Sequence, residues 1–280
     1  MKFCVGITTY YPSKSIVEKI ELYNSIFDHV FIYDNTPNSN LTMSCDSITI
    51  VKGNGNEGIA VAFNRLMTLS EKEEYDYMLL LDQDSEISSE SCNRMINFLR
   101  CNPDVKICVP KVIYKNNVKT QEKDLDVALV DWAITSGTFI YIPYFIKLGG
   151  YDENYFIDRI DADFSRRVLD NNERIYCLNT AKLYQELGEK TFSLFKLKYS
   201  PHNSIRNYYI SRNRFYFYKK FNLNKFYANL LFYKQIILII LFDKNKIEKI
   251  KYSKLGKKDY LMGKMGKYNG IEVEKYENFE

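Results

Sequence analysis

Histidine is almost absent from this 280-residue sequence, which has only two, and none of its six cysteines belongs to a CxxC pair. A zinc site of the usual kind is therefore not expected. The N-terminal segment 1–11 also lacks the long apolar stretch of a secretory signal. Scattered cysteines without such a signal are typical of a reducing compartment, so we expect a cytoplasmic location.

Negative charge is missing from a long part of the C-terminal third. No Asp or Glu occurs between Glu189 and Asp243, whereas Lys, Arg and aromatic residues recur throughout. The net charge of +4 is too small to indicate a nucleic-acid partner, and none is expected. The stretch ends in an apolar run, Phe226 to Phe242, that is short for a bilayer span. Peripheral binding to an anionic membrane surface is the favoured interpretation, although a helical core with outward-reaching Arg and Lys would look similar.

Strand-like and helix-like segments alternate over the first hundred residues. Strands are predicted at 3–8, 30–33, 47–51 and 77–81, and helices at 15–27 and 59–69. The continuous apolar run 77–81 is typical of a central strand that is buried on both faces. The alternation predicts an α/β fold with a mostly parallel, Rossmann-like sheet flanked by helices, followed by a helical, basic and aromatic C-terminal extension.

Polar side chains cluster where the predicted strands end. In open α/β sheets, ligands bind beyond the carboxyl ends of the strands. The residues at those ends are Thr8, Thr9, Tyr10, Asp34, Asn35, residues 54–58, Asp82 and Asp84. Their convergence is the first indication of a ligand site.

Asp82-Gln83-Asp84 follows the most apolar strand of the chain. Two carboxylates separated by one residue can share Mg²⁺ or Mn²⁺, which would also bind a diphosphate. The alternative is a pair of solvated acids that cap the next helix. The position after a buried strand favours the metal site.

Residues Gly53 to Gly58 match the pattern GxGxxG between a strand and a helix. A dinucleotide fold would place this pattern after its first strand, whereas here it follows the third. Two other interpretations are open. The residues form either a loop that approaches a sugar nucleotide or a plain turn before a helix.

The segment from Phe156 to Arg167 is dense in charge. Arg167 lies four residues after Asp163, so the two can pair along a helix. Asp161, near the predicted helix start, is either a cap or a carboxylate that accepts a proton from an attacking hydroxyl. Upstream, Ser136-Gly137 lies between strand-like pieces, and Trp132 is either a wall for a sugar ring or, more commonly for Trp, a core residue.

Seven of these motifs, in this order, resemble the bacterial family 2 glycosyltransferases of the GT-A fold, and within them the rhamnosyltransferase-like members. The resemblance covers about residues 3 to 220. The motifs are Thr9-Tyr10, Asp34-Asn35, residues 56–60, residues 82–85, Ser136-Gly137, residues 156–158 with Asp161, and residues 206–213.

The resemblance implies a role for each position. Donor-nucleotide contacts fall on Thr8, Thr9, Tyr10, Asp34, Asn56, Gly58, Asn64 and Asp82, and a divalent metal, Mn²⁺ or Mg²⁺, on Asp82 and Asp84. Asp161 takes the place of the catalytic base. The acceptor side falls on Trp132, Ser136, Gly137, Asp163 and Arg167.

Two positions depart from the family pattern. Asp163-Phe164 replaces the usual Glu-Trp after the base, and Gln185 stands where relatives often carry His two residues before Leu-Gly. If that His helps to hold metal or diphosphate, Gln185 would do so more weakly.

The resemblance implies an inverting transfer from a nucleoside-diphosphate sugar, dTDP-rhamnose or a UDP-hexose. The acceptor would be a hydroxyl of a growing bacterial surface glycan, such as O-antigen or capsule, linked to a polyprenyl diphosphate at the inner face of the cell membrane. The alternatives are a silent sugar-nucleotide-binding partner of an assembly complex, an NAD-dependent oxidoreductase and a nucleotidyltransferase.

Three regions are expected on this basis. Residues 1–105 would form the nucleotide-sugar-binding half of the α/β domain, and residues 106–190 its acceptor-binding and catalytic half. Residues 191–280 would form the helical, membrane-associating region.

Overall fold

Residues 1–114, 125–185, 192–194 and 197–270 are described by the structure, a computed structural model. The chain divides into two units, Met1–Glu153 with Ile160–Glu186, and Asn154–Arg159 with Leu187–Glu280. The short segment Asn154–Arg159 therefore groups with the C-terminal helices, although the sequence alone places it within the catalytic half. This segment leads directly into the helix that carries Asp161.

The first unit contains a sheet of nine described strands. They are β1 (Phe3–Thr9), β2 (His29–Asp34), β3 (Ile48–Lys52), β4 (Tyr77–Asp82), β5 (Glu86–Ile87), β6 (Ile107–Tyr114), β7 (Val127–Val130), β8 (Phe139–Tyr141) and β9 (Ile175–Gln185). The strand order is β3-β2-β1-β4-β8-β6-β9-β5, and β7 pairs with β9. All residues of β1, Phe3–Thr9, are buried. This is expected for an interior strand that has β2 and β4 on either side and is covered on both faces.

The predicted parallel arrangement is confirmed for β1 to β4, and the rest of the sheet is mixed. Strand β1 is parallel to β2 and β4, and β2 is parallel to β3. Strand β8 then lies antiparallel to both β4 and β6, while β6 and β9 are parallel. The direction of β8 depends on a connection between distant parts of the chain, which no local periodicity specifies.

Five helices are described in the first unit. They are α1 (Ile16–Asn24), α2 (Ile59–Lys72), α3 (Ser89–Cys101), α4 (Ile142–Lys147) and α5 (Ile160–Asp170). Apolar residues of α2 recur at helical spacing, and Phe63, Leu66 and Met67 are fully buried. The fold is thus an α/β sheet flanked by helices, as the sequence predicts.

The second unit is mainly helical. It contains α6 (Ser204–Lys220), α7 (Lys225–Phe242) and α8 (Lys246–Leu261), preceded by the short strands β10 (Phe192–Leu194) and β11 (Leu197–Tyr199). Helix α8 approaches α6 closely at Gly256, where an added Cβ would lie 2.2 Å from the carbonyl oxygen of Tyr208. Only glycine allows this contact.

Buried polar residues hold α6 and α7 together. Gln235 of α7 accepts a hydrogen bond from Arg214 Nη1 at 2.9 Å and donates one to Asn207 Oδ1 at 3.0 Å. Arg212 and Arg214 of α6 are both buried. The expectation that the basic residues of this stretch face an anionic partner is therefore wrong for these two arginines, because their guanidinium groups bond to protein groups inside the unit.

Candidate active site

Polar residues from three strands meet at one edge of the sheet in the first unit. In the parallel pairing, Thr8 lies opposite Asp82 and Thr9 lies opposite Asp34. The ends of β1, β2 and β4 therefore bring together residues that are up to 74 positions apart in sequence, as the parallel arrangement predicts.

Asp82 is the most electrostatically perturbed carboxyl group of this edge. Burial, followed by the negative charges of Asp84 and Asp161, raises its pKa to about 7, against the opposing effect of a hydrogen bond from Thr8. Asp161 comes from the first turn of α5, so two motifs that are far apart in sequence share one electrostatic site. A cluster of mutually repelling carboxylates is a good place for a cation or a proton.

The turn Asp82–Ser85, here called the β4 turn, is held from one side by the residue between its two aspartates. Gln83 Oε1 accepts a hydrogen bond from the Tyr10 backbone N–H at 2.8 Å, and Gln83 Nε2 donates to the Tyr10 carbonyl at 3.1 Å. Lys19 Nζ donates to the Gln83 carbonyl at 2.9 Å. Sequence reasoning assigned no role to Gln83 or Lys19, and only their long-range contacts identify them.

Ser136 and Gly137 hold the β4 turn from the other side. The Ser136 hydroxyl oxygen accepts a hydrogen bond from the Asp82 N–H at 3.0 Å and lies 2.7 Å from Ser85 Oγ. Gly137 has a φ of 83°, and an added Cβ would lie 3.0 Å from the Leu183 and Pro110 side chains. Both residues are buried supports of the turn, and contact of either with the acceptor stays a prediction.

The loop Gly53–Gly58 is ordered by a partly exposed network of charged and polar groups. Tyr33 donates to Glu57 at 2.5 Å, and Arg65 binds both carboxylate oxygens of Glu57 at 3.1 Å. Asn35 Oδ1 accepts from the Glu57 N–H at 3.0 Å, and the Glu57 carboxylate accepts from the Asn54 N–H at 3.2 Å. Glu57 is thus the organiser of this loop, a role that the sequence pattern did not reveal.

The predicted donor-side residues have different surroundings. Asp34 is fully buried and accepts hydrogen bonds from the Thr36 N–H, at 3.0 Å, and from the Ser39 hydroxyl, so it fixes the loop after β2. Asn56 Oδ1 accepts from the N–H of Gly58, the residue before α2, at 3.2 Å. The Thr9 hydroxyl is buried and lacks a hydrogen-bond partner within the described residues.

Asn64 has a clear structural task. Its Oδ1 accepts from the Tyr151 N–H at 2.8 Å, and its Nδ2 donates to the Tyr151 carbonyl and to Glu153, each at 2.9 Å. Both ends of the amide thus hold the loop that follows α4. Donor contact by Asn64 stays a prediction.

The three aspartates near the start of α5 differ in their environments. Asp163 is 0% exposed and pairs with Arg167 at 2.7 Å, which confirms the predicted pair. Arg167 also donates to the carbonyls of Leu148 and Gly150. The pair fixes the backbone around Leu148 and Gly150, and an acceptor-side role for Asp163 and Arg167 stays a prediction.

Asp161 and Asp158 complete this group. The Asp161 carboxylate accepts a hydrogen bond from the Ala162 N–H at 2.7 Å and acts on Asp82 electrostatically. Burial raises the pKa of Asp158, and the charges of Arg159, Arg206 and Arg214 oppose that shift. Asp161 is therefore the aspartate of this segment that belongs to the strand-end site.

An apolar pocket lies beside Asp161. Its walls include Ala133, Thr135, Tyr151 and Phe164. Trp132, the residue before Ala133, is 51% exposed, so the expectation of a core tryptophan is wrong. An exposed indole next to the pocket is compatible with contact to a sugar ring.

Asp82 and Asp84 fit a divalent cation by their chemistry. Carboxylate oxygens are the ligands that Mg²⁺ and Mn²⁺ prefer, and a cation would offset both the burial and the neighbouring negative charges that raise the pKa of Asp82. Across the described residues, no group of three or more His, Cys, Asp or Glu could hold a metal ion. A cation here would therefore need further oxygens, such as those of a diphosphate. Gln185 ends β9 opposite Tyr114, and Leu187-Gly188 lies outside the described residues.

No model of a protein family matches the chain. Among curated proteins, the dTDP-rhamnosyl transferase RfbF of Shigella flexneri is 25% identical over an alignment that covers 94% of this chain and 97% of RfbF. This relative spans nearly the same length as the chain, so the similarity extends over both units.

Solved structures of glycosyltransferases have the same fold. Staphylococcus aureus TarS 1–349 in complex with UDP-GlcNAc gives a TM-score of 0.53 at 14% identity, over 98% of this chain and 76% of TarS 1–349. GalNAc-T7 with UDP, GalNAc and Mn²⁺ gives 0.57 at 10% identity, over 99% of this chain and 58% of GalNAc-T7. A longer TarS structure gives 0.53 at 13% identity, and the match takes up 90% of this chain but only 42% of that longer one.

The chain has the fold of the GT-A class of glycosyltransferases, and its strand-end carboxylates lie at one edge of that sheet. Within that class, the resemblance to the rhamnosyltransferase-like enzymes of family 2 is confirmed by the match to RfbF.

Proposed function

We propose that the protein is an inverting, family 2-like hexosyltransferase that uses a nucleoside-diphosphate sugar, dTDP-rhamnose or a UDP-hexose. RfbF is named a dTDP-rhamnosyl transferase, and TarS 1–349 was crystallised with UDP-GlcNAc, which supports this donor class. The observation that carries the proposal is the electrostatic coupling of Asp82 both to Asp84, its partner in the turn, and to Asp161 of α5. It puts a carboxylate from α5 beside the carboxylate pair at the strand ends.

Asp161 acts as the general base in this proposal. Its carboxylate takes the proton of an acceptor hydroxyl, and the oxygen attacks the anomeric carbon from the side opposite the diphosphate. One displacement inverts the anomeric configuration through an oxocarbenium-like state. The exposed face of Trp132 lies on the acceptor side, and Tyr151 and Phe164 keep the pocket beside the base apolar.

The β4 turn receives the donor. Asp82 and Asp84 are the residues that would hold a Mn²⁺ or Mg²⁺ ion, which when bound would supply positive charge to the departing diphosphate. The turn is braced by Gln83 and by Ser136, so the two carboxylates are pre-positioned and little ordering remains for donor binding. Thr9, with its buried and unpartnered hydroxyl, offers a hydrogen bond to the nucleotide.

Thermal stabilisation by a ligand panel tests the donor class. Sugar nucleotides such as dTDP-rhamnose and UDP-glucose are expected to raise the melting temperature, and more so with Mn²⁺, because a ligand that binds only the folded state stabilises it. Stabilisation by NAD alone would instead indicate an oxidoreductase. A sugar nucleotide that binds without being transferred or hydrolysed would indicate a silent partner, and synthesis of a sugar nucleotide from NTP and sugar phosphate a nucleotidyltransferase.

The acceptor in this proposal is a lipid-linked glycan, such as an O-antigen or capsule precursor on polyprenyl diphosphate. We infer that the protein binds the inner face of the cell membrane peripherally through α7. One side of α7 is exposed and apolar, and its exposed large residues are Phe226, Tyr227, Leu230, Tyr233, Ile237, Ile240 and Leu241. Such a face with aromatic and cationic residues is typical of helices that lie in a membrane interface.

Helix α7 is long and apolar enough to cross a membrane by length and composition, and 28% of it is buried within the protein. Its other side is fixed to polar groups of α6, since Gln235 bonds to Arg214 and Asn207. A helix held along one side by polar neighbours favours an in-plane position over a span. The exposed lysines Lys225, Lys234 and Lys244 supply the charge that attracts anionic lipid.

Liposome flotation tests this surface. The protein is expected to bind phosphatidylglycerol–phosphatidylcholine liposomes at low salt and to be partly released by high salt. Ile237→Ser, at a position 54% exposed on α7, should weaken binding, while Leu261→Ser, at a position 72% exposed at the end of α8, should not. Failure to bind at low salt contradicts the proposal. A concentration-dependent dimer that Ile237→Ser abolishes would assign the face to a second copy instead.

A further inference from the structure

Two buried residues in the middle of α6 bind the backbone of the segment Asn154–Arg159, here called the clamped segment. Arg212 Nη2 donates to the carbonyls of Asn154 and Tyr155, both at 3.1 Å. The Asn213 side-chain amide donates to the carbonyls of Tyr155, Ile157 and Asp158, at 2.9, 2.6 and 3.2 Å. Two neighbouring side chains thus hold four of the six carbonyl groups of the clamped segment.

The backbone of the clamped segment needs such support. Phe156, Asp158 and Arg159 have φ values of 64°, 66° and 72°, in the left-handed region that side chains with a Cβ rarely adopt. Strained residues of this kind persist only where the surrounding structure fixes them, and they concentrate at functional sites. Three in four consecutive residues make this an outlier that calls for a functional explanation.

Ring contacts from the same helix fix the side chains. The Phe156 ring stacks on Tyr209 with 5.1 Å between ring centroids, and Arg159 lies 5.2 Å from the centre of the Phe217 ring. Arg212 also lies over the Tyr209 ring, at 4.9 Å. Helix α6 therefore determines both the backbone path and the side-chain orientation of the clamped segment.

The chain passes directly from Arg159 into Ile160, the first residue of α5, and then to Asp161. We infer that Arg212 and Asn213 are positioning residues for the general base, since they set the conformation of the chain that enters its helix. The inference rests on the proposed role of Asp161. A base must lie within hydrogen-bond reach of the proton it removes, and a displacement of about 1 Å can cost on the order of 100-fold in rate.

The central variant is Asn213→Asp, which replaces a donor to three carbonyls by an acceptor. Turnover is measured as release of nucleoside diphosphate from dTDP-rhamnose, or from UDP-glucose if the panel selects it, with a bacterial lipid extract as acceptor source. We expect kcat to fall roughly 10- to 100-fold while the Kd for the donor changes less than about twofold, because the β4 turn is untouched. Arg212→Lys keeps the charge but loses the planar fork, and should show a smaller fall of the same kind.

Asn207→Asp is the matched control. Asn207 is equally buried on the same helix, and its amide donates to the carbonyls of His202 and Asn203, outside the clamped segment. It should lose similar thermal stability and retain kcat. Equal losses of kcat in the two Asp variants, or full kcat in a folded Asn213→Asp protein, would overturn the inference. If Asn213→Asp does not fold, Arg212→Lys decides the question by the same criteria.

A double-mutant cycle separates this inference from the proposed function. In the Asp161→Asn background, Asn213→Asp should lower the residual rate no further, because residues that act as one unit are not additive. An additive loss contradicts positioning through Asp161. If Asp161→Asn alone keeps the wild-type rate, the assignment of the base fails, whatever Asn213→Asp does.

Discussion

The β4 turn and the first turn of α5 both carry two aspartates separated by one residue, yet they use them differently. In α5, Asp163 has Arg167 four residues later, on the same helical face, and becomes a buried ion pair. In the β4 turn, the residue four positions after Asp82 is Glu86, and Asp82 faces further carboxylates. The same spacing therefore has two outcomes. Asp163 is neutralised by Arg167 and stabilises the fold, whereas Asp82 lies near other carboxylates and is suited to bind a cation or a proton.

The largest effect in this comparison is expected for Asp161→Asn. Loss of a general base typically lowers the rate about 10²- to 10⁴-fold. Donor binding with Mn²⁺ should be nearly unchanged, because the base faces the acceptor. Donor affinity and turnover are measured on the same samples, with Asp158→Asn for comparison. Joint loss of binding and fold would identify Asp161 as a helix cap.

Asp84→Asn should come next. Removal of one carboxylate from the proposed metal pair is expected to weaken donor binding in Mn²⁺ and to cut transfer by roughly tenfold or more, because less charge stabilises the departing diphosphate. Calorimetric titration of the donor with and without Mn²⁺ measures the first effect. Unchanged activity of this variant, or full wild-type activity in EDTA, removes Asp84 from the metal role.

Asp163→Asn should act mainly on stability. It leaves the Arg167 guanidinium without its buried partner, which typically costs about 3–5 kcal/mol of unfolding free energy. Asp170→Asn is the matched control, because Arg166 and Asp170 form the same i,i+4 pair at a site where both side chains are nearly half exposed. That exposed pair should matter little. Urea unfolding measures the loss of unfolding free energy in both variants. Equal losses would contradict the expected difference between the buried and the exposed pair.

The smallest effect is a pH-dependent gain in stability for Asp82→Asn in EDTA. The pKa of Asp82 rises from 3.8 to about 7 on folding, so its ionisation destabilises the folded state as the pH rises through this window. Asn removes that penalty. The melting temperature of the variant should exceed that of the wild type by a few degrees at pH 8, with the gap closing towards pH 4. A gap that does not vary with pH contradicts the raised pKa of Asp82.

The sequence was sufficient for features that depend on local periodicity. It predicted β1, β2 and β4 within one or two residues, the position of Asp82 at a buried strand end, and the pairing of Asp163 with Arg167. Each follows from alternation or from helical spacing, which short segments contain in full.

Features that depend on distant contacts were missed. The pairing of Gln83 with Tyr10 joins residues 73 positions apart, and the support of Asp82 by Ser136 joins residues 54 apart. Arg212 and Asn213 resemble solvent-facing residues in a basic stretch, and only the packing of α6 reveals them as buried. The antiparallel direction of β8 has the same cause, because register between remote strands is decided by tertiary structure.

The brace within the β4 turn has a consequence for engineering donor preference. The middle position of an Asp-x-Asp turn looks free to vary, but the amide of Gln83 imitates a strand partner for Tyr10 by both accepting and donating. Glu at this position would keep the acceptor and lose the donor, and Ala would lose both. A mutant library aimed at a new donor sugar should therefore keep Gln83 fixed, so that selection acts on sugar recognition and not on repair of the turn.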